Sequence, residues 1–376
     1  MTVFIAGLFF SWRILLFAAA YLAEKIMPFT PRFPYADLFL IPSNLPRWIW
    51  GFANFDGVHY LTIASRGYQA QYTQVYFPLF PAILKYFYRL LPVFHPLVSG
   101  LLLSNVLFLA SLFLLSAILR PDIQENRLKW ILAFLVFFPT SYYFGSLYTE
   151  SLFLFLLLLS FWLAKKKKWF LASLAGAAAS GTRLIGIFLL PALLWQYMDG
   201  KKKSTLLHFL KSPVLYLAPL GLIAYMSYLY YYFSDALYFW HAQPVFGAAR
   251  SGSSLIFMPQ VVYRYIKMFA DIPVSQEVFW ITFLEFYLTL FTIFLLLVAR
   301  RQKIYLSWLI FAWPAIILPT LTGTFSSMPR YVLVALPIFL VLASIRNLKI
   351  RSLVLFISLL LQLVLTMLFT SGHWVA

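Results

Sequence analysis

Apolar residues in this 376-residue chain occur in long runs that short polar segments separate. Several runs are long enough for a helix to cross about 30 Å of hydrocarbon. We therefore predict an all-α polytopic membrane protein with about 11 transmembrane helices, short helix hairpins and a long first outer loop, in a single domain over residues 1–376. The predicted spans are 6–23, 98–119, 128–145, 149–164, 169–181, 184–198, 213–233, 278–299, 304–321, 331–345 and 352–370.

Composition agrees with a membrane location. The chain is 63% hydrophobic and only 11% charged, whereas soluble domains hold roughly 25% charged residues. It contains no cysteine, which excludes disulfides, thiolate metal sites and cysteine nucleophiles. Because the histidines are scattered and the outer acids are few, we predict no divalent metal and no other cofactor.

The net charge of +18 is carried mainly by basic blocks in short loops between the apolar runs. Short basic loops mark the cytoplasmic side of a membrane, so these blocks indicate topology rather than a nucleic-acid partner. With them inside, the amino terminus is inside and the carboxyl terminus outside. Residues 6–23 are expected to stay as the first helix rather than be removed as a signal peptide. The predicted location is a prokaryotic plasma membrane, or the endoplasmic reticulum membrane in a eukaryote.

Residues 169–198 lie between two lysine blocks, 165–168 and 201–203. One helix of about 30 residues would be about 45 Å long and would put the blocks on opposite sides. Two short helices that turn at residues 180–183 keep both blocks inside. We therefore predict a helix hairpin with Arg183 at its outer turn, in a protein-lined or watery recess.

Other unusual polar groups fall on the same predicted outer face: residues 54–68, Glu150, residues 235–250 and residues 323–330. Ionisable groups at the edge of a membrane are costly to desolvate and often mark functional sites. Their convergence predicts a site on that face.

Residues 77–94 are interrupted by prolines and are not predicted to span the membrane. Lys85 and Arg89 share one side at i,i+4 spacing, and apolar residues take the other side. Such a helix suits the membrane interface, where its cations can meet a lipid phosphate. The alternative is plain snorkelling of two cations without a ligand.

The most informative motif is residues 54–68, where Asp56 stands beside Asn54, His59 and Tyr60. A carboxylate so placed can take a proton from a sugar hydroxyl, and general-base catalysis typically contributes ~10²–10⁴-fold. Asp-Gly is also a common turn pair, so an Asx-turn without a catalytic role is the alternative. The sequence has no glycine-rich phosphate loop, metal-binding histidine pair or Gly-x-Ser-x-Gly elbow.

Residues 54–68 resemble the Asp-centred first-loop motif of the PIG-V family, the mannosyltransferases that add the second mannose of GPI anchors, and of their prokaryotic relatives. Weaker matches follow in the same order and cover most of the chain. They are residues 77–81, 138–141, 148–151, 181–183, 234–237, 241–243 and 329–331.

The resemblance implies a GT-C glycosyltransferase that moves a hexose, expected to be mannose, from a polyprenyl-phosphate donor. The acceptor would be a glycan, glycolipid or protein on the outer or lumenal face, with inversion and with Asp56 as the base. The lipid phosphate leaves more readily beside cations, for which the candidates are Arg183, Arg330, Lys85 and Arg89. The predicted substrate cavity comprises Asn54, His59, Tyr60, Tyr148, Glu150, His241 and Gln243.

Two alternatives stay open. Arg183 can instead form a structural ion pair with Glu150. The whole protein can instead be a transporter or flippase of lipid-linked saccharides, although transporters often carry two related halves and no second copy of the Asp56 motif occurs. The expected partners are membrane lipid and the lipid-linked donor, with no nucleic acid; the sequence does not specify an oligomeric state.

Overall fold

A computed structural model describes residues 1–198, 213–302 and 304–375. The described chain is all-α, as predicted, and forms two compact units. The first unit holds Met1–Phe155 and Leu342–Val375, and the second holds Leu156–Val341. The basic residues at 201–203, 211 and 303 lie outside the described residues. The prediction of a single domain stays a prediction.

The first unit contains helices α1 to α7, the start of α8, and α18. Their bounds are α1 Thr2–Ile26, α2 Ala36–Phe39, α3 Arg47–Trp50, α4 Asp56–Arg66, α5 Leu79–Leu90, α6 Pro96–Leu119, α7 Glu125–Val136, α8 Glu150–Lys165 and α18 Leu348–Thr370. Short 3₁₀ turns occur at Ile41–Ser43, Gly51–Ala53, Thr73–Val75 and Ser141–Gly145.

The second unit contains the rest of α8 and helices α9 to α17. Their bounds are α9 Trp169–Thr182, α10 Leu189–Met198, α11 Leu220–Phe233, α12 Tyr238–His241, α13 Met258–Asp271, α14 Glu277–Arg301, α15 Leu306–Thr320, α16 Met328–Tyr331 and α17 Pro337–Leu342. Its 3₁₀ turns are Leu184–Phe188, Pro213–Leu217, Gln243–Phe246 and Val332–Val334.

Four helices within the described ranges are long and apolar enough to cross a membrane: α1, α6, α14 and α18. They agree with a multi-pass membrane protein. The other predicted spans correspond to shorter helices or to interrupted ones. Three predictions of continuous helices are wrong, those for residues 128–145, 213–233 and 331–345.

A proline lies at each interruption, and for residues 213–233 it is Pro219, directly before α11. Helix α7 ends at Val136, three residues before Pro139, and the ring of Pro337 disfavours a helical conformation at the residue before it. The freed carbonyls of Val136 and Phe138 each accept a hydrogen bond from Nε2 of the buried Gln362 at 3.0 Å. This polar contact fastens α18 to the end of α7, because a buried carbonyl without a partner is costly.

The predicted break in residues 169–198 is confirmed. Helix α9 ends at Thr182, Arg183 takes an extended conformation, and a 3₁₀ turn leads into α10. Small residues let the neighbouring helix approach α9 closely: a Cβ at Gly221 of α11 would lie 2.0 Å from the carbonyl oxygen of Ala177. Small residues at such crossings are typical of helices in membranes.

Replacing Gly221 by Ala is expected to destabilise the second unit by about 1–3 kcal/mol or more, because the added methyl group forces two backbones apart. Thermal melts of the purified protein in detergent would measure the effect. Gly7→Ala is the matched control, since a Cβ at Gly7 meets nothing within 4 Å. Equal melting temperatures for the two variants would contradict the close packing.

Candidate functional site

Asp56 is the first residue of α4 and is half-buried. The helix amino terminus carries a partial positive charge, which favours the ionised carboxylate. The preceding residue, Phe55, has φ 58° and ψ −115°, a conformation that non-glycine residues rarely adopt. Asp56 and Gly57 are the first two residues of α4, so the Asp-Gly pair is helical rather than a turn. The strained Phe55 before them sets the direction in which α4 begins.

A chain of hydrogen bonds holds the backbone on either side of Asp56. The amide of Asp56 donates to the Tyr148 hydroxyl at 3.2 Å, and that hydroxyl donates to the carbonyl oxygen of Asn54 at 2.9 Å. The Asn54 side chain in turn donates to the carbonyl oxygen of Phe369 at 2.8 Å. Tyr148 and Asn54 are fully buried, so segments far apart in sequence position the carboxylate.

The carboxylate itself lies beside aromatic rings. The Tyr76 hydroxyl donates to Oδ1 of Asp56 at 3.3 Å. The His59 ring stacks on Tyr76, with centroids 4.9 Å apart, and Tyr60 meets the same ring edge-on at 5.3 Å. These groups form an aromatic setting around one acid, which suits a sugar ring with its apolar faces and polar edge.

His59 stays neutral at pH 7. Burial lowers its pKa below the usual value, although the negative charge of Asp56 raises it in part. A neutral imidazole adds no positive charge beside the Asp56 side chain.

The first unit brings together Asp56, Asn54, His59, Tyr60 and Tyr148, and their role in a substrate cavity stays a prediction. Sequence reasoning missed Tyr76. The available signal was its place directly before the Phe77–Pro81 motif, in the same loop as Asp56.

Three other predicted residues also belong to this unit. Glu150 is the first residue of α8, is 1% exposed and follows Tyr148 by two positions. Lys85 and Arg89 lie on α5, which packs against α4 with Phe80 and Leu84 fully buried. The interface helix predicted over residues 77–94 is thus a 12-residue helix, Leu79–Leu90.

The second unit places Arg183 against Tyr331, the residue that follows Arg330. The guanidinium of Arg183 lies over the ring of Tyr331, 4.7 Å from its centroid, and Arg330 is the residue before Tyr331. Arg183 and Arg330 are 9% and 8% exposed. Both side chains are therefore nearly buried.

A polar network holds the turn that carries Arg330. The Tyr265 hydroxyl donates to Oε2 of Glu285 at 2.6 Å and accepts from the amide of Phe325 at 3.0 Å. Arg250 donates to the Ser327 hydroxyl at 3.2 Å. Burial and the adjacent Glu285 raise the pKa of Tyr265, so this tyrosine stays protonated and donates to the carboxylate.

The Tyr265→Phe variant is expected to lose about 1–3 kcal/mol of stability, because the Phe325 amide and the buried Glu285 carboxylate each lose a hydrogen-bond partner. Chemical or thermal unfolding in detergent would measure it. Tyr263→Phe on the same helix is the control, since Tyr263 is exposed and should stay within about 0.5 kcal/mol. A similar stability for both variants would contradict the structural role of Tyr265.

His241 and Gln243 form a third local arrangement, also in the second unit. Nδ1 of His241 and Oδ2 of Asp235 lie 2.7 Å apart, and Gln243 donates to the carbonyl oxygen of Phe239 at 3.2 Å. Asp235 also accepts from the amide of Leu237 at 2.9 Å. These contacts hold the loop after α11, and the cavity role predicted for the two residues stays a prediction.

Within the described ranges, no group of three histidine, cysteine or acidic side chains could hold a metal ion. No protein-family model matches the chain, and no curated protein matches it significantly.

Proposed function

We propose that this protein is an inverting glycosyltransferase of the outer or lumenal membrane face, with Asp56 as its general base. The setting of Asp56 carries the proposal. A half-buried carboxylate begins a helix, a strained residue precedes it, and a chain of hydrogen bonds from the Asp56 amide through Tyr148 to Asn54 holds its backbone. Such support is costly to build and is typical of groups that must be held in place for chemistry.

The proposed reaction needs one base and no acid. An acceptor hydroxyl attacks the anomeric carbon of a lipid-phosphate-linked hexose. The new carbon–oxygen bond forms as the bond to the phosphate oxygen breaks, and the electron pair leaves with the phosphate. Asp56 takes the hydroxyl proton. A lipid phosphate is already a stable anion, so it leaves without being protonated.

The leaving phosphate gains negative charge as it departs, and fixed cations favour that change. Arg183 and Arg330 are the proposed phosphate-binding residues. A guanidinium can hold two phosphate oxygens at once, and the stacking of Arg183 on Tyr331 restricts its orientation. Mannose is the expected sugar, on the resemblance of residues 54–68 to the PIG-V motif.

Incubation of the purified protein with radiolabelled polyprenyl-phosphate mannose tests the proposal. The panel of acceptors includes a glycolipid, a free glycan and a peptide, and polyprenyl-phosphate glucose serves as the second donor. Label is expected to appear on an acceptor, with inverted configuration. If no acceptor is labelled from either donor while proteoliposomes move the donor across their membrane, the protein is a transporter instead.

A further inference from the structure

Arg13 is a charged residue in the middle of α1, one of the four helices that can span the membrane. It is 8% exposed. A guanidinium at this depth is costly, and such residues are rare unless a partner or a ligand compensates their charge. Arg13 thus needs a physical reason to be there.

Aromatic rings and a glycine surround its side chain. Cζ lies 4.0 Å from the centroid of Phe17 and 4.4 Å from that of Phe52. Gly145 leaves room for the group, because a Cβ there would lie 2.5 Å from Nη1. The rings attract the cation but supply no oxygen for its N–H groups.

The positive charge has no counter-charge in the described part of the chain. Nη1 of Arg13 is buried without a hydrogen-bond partner. No carboxylate there pairs with this guanidinium, and no neighbouring charge acts on it. A buried cation with neither a hydrogen-bond acceptor nor a nearby anion is costly, so a ligand that supplies both would stabilise it.

We propose that Arg13 binds the phosphate group of a membrane lipid. Guanidinium matches phosphate geometrically, and one phosphate supplies both the missing acceptor and the missing charge. The lipid origin follows from position. Arg13 lies in a helix that can span the membrane, and Phe10 and Ile14, which flank it, are 58% and 67% exposed, so lipid is the adjacent source of a phosphate group.

The site adjoins the segments that hold Asp56. Phe52 lies two residues before Asn54, and Gly145 lies three residues before Tyr148. A phosphate at Arg13 would therefore lie next to both of the segments that hold Asp56. That the lipid is an isoprenoid phosphate, the carrier of the donor sugar, rests on the proposed function; the binding of a lipid phosphate does not.

The test compares the affinities of the full-length protein for polyprenyl phosphate and for uncharged polyprenol, by the shift of the melting temperature with ligand concentration. The comparison is made in the Arg183→Gln background, so that the proposed donor-phosphate residue does not supply the difference, and this parent protein is expected to prefer the phosphate. Arg13→Met in the same background should lose the preference, with phosphate affinity lower by roughly 30-fold or more. Without ligand, this variant should melt at the same temperature as the parent or higher, because a lone buried charge has been removed.

Lys25→Met is the matched control, since Lys25 is an exposed cation on the same helix and its variant should keep the preference. Arg13→Lys should bind phosphate about tenfold more weakly, with polyprenol binding unchanged. If Arg13→Met does not fold, Arg13→Lys decides the question. Parent-like phosphate affinity in either Arg13 variant, or no phosphate preference in the parent protein, would overturn the proposal.

Phosphatidic acid and inorganic phosphate are the further arms, and they identify the source of the phosphate. Polyprenyl phosphate binding best indicates the donor carrier, and equal binding of phosphatidic acid indicates a structural phospholipid. Inorganic phosphate that binds as well as either lipid would overturn the lipid origin. No arm requires sugar transfer, so this result and the result of the transferase assay can fail independently.

Discussion

The Asp56→Asn variant is expected to transfer sugar ~10²–10⁴ times more slowly than the parent protein, because asparagine keeps the size of the side chain but cannot accept the proton. The amide can still accept from the Tyr76 hydroxyl, so the fold should change little. Initial rates with radiolabelled donor and saturating acceptor measure the effect. Donor binding should be close to that of the parent, because the base acts on the acceptor.

Asp37→Asn is the control for the loss of a single negative charge. Asp37 is an exposed acid on α2 in the same unit, and its variant should keep the parental rate. Near-parental turnover of Asp56→Asn, at equal expression and melting temperature, would remove Asp56 from the base role.

The Arg183→Gln variant is expected to bind the lipid-phosphate donor at least ~30-fold more weakly, because glutamine lacks the charge that attracts phosphate. Arg183→Lys keeps the charge but loses the two-pronged geometry and the flat stacking surface over Tyr331, so its loss should be partial. Donor affinity measured by titration separates the three proteins. Arg301→Gln, at an exposed arginine that ends α14, should bind donor normally.

Thermal melts distinguish phosphate binding from a structural ion pair with Glu150. If Arg183 formed an ion pair with Glu150, then Arg183→Gln and Glu150→Gln would each leave a lone buried charge. Each variant would then lose about 3–5 kcal/mol of stability. Under the phosphate hypothesis, Arg183→Gln loses donor affinity while its melting temperature stays near that of the parent. If Arg183→Gln melts at a lower temperature than the parent but binds donor normally, Arg183 does not bind the phosphate and Arg330 becomes the candidate for that role.

Much of the secondary structure could be predicted from the sequence, and the reason is simple chemistry. The runs that became α1, α6, α14 and α18 are apolar over a length that only a helix can carry through hydrocarbon. The break before Arg183 followed from lysines on both sides of a segment too long for one short span. The errors, at residues 128–145, 213–233 and 331–345, arose where an apolar run contains a proline, because hydropathy is insensitive to the missing N–H group.

The candidate site was predicted only in part. Asp56, Asn54, His59 and Tyr60 were found because they lie within six residues of one another in a conspicuous polar motif. Tyr76 was missed because its contact with Asp56 bridges 20 residues. The stacking of Arg183 on Tyr331 was missed for the same reason, since nothing local to either residue indicates the other.

The sequence alone thus determined the class of the protein, the longest helices and the acid at the centre of the candidate site. The tertiary structure decided which segments hold that acid. The Asn54 side chain donates to a carbonyl oxygen 315 residues away, on α18. Arg13 lies against Phe52 and Gly145 for no reason visible in α1 alone. Helices that are apolar on every side carry no periodic pattern that specifies their neighbours, so packing of small residues and a few buried hydrogen bonds makes that choice.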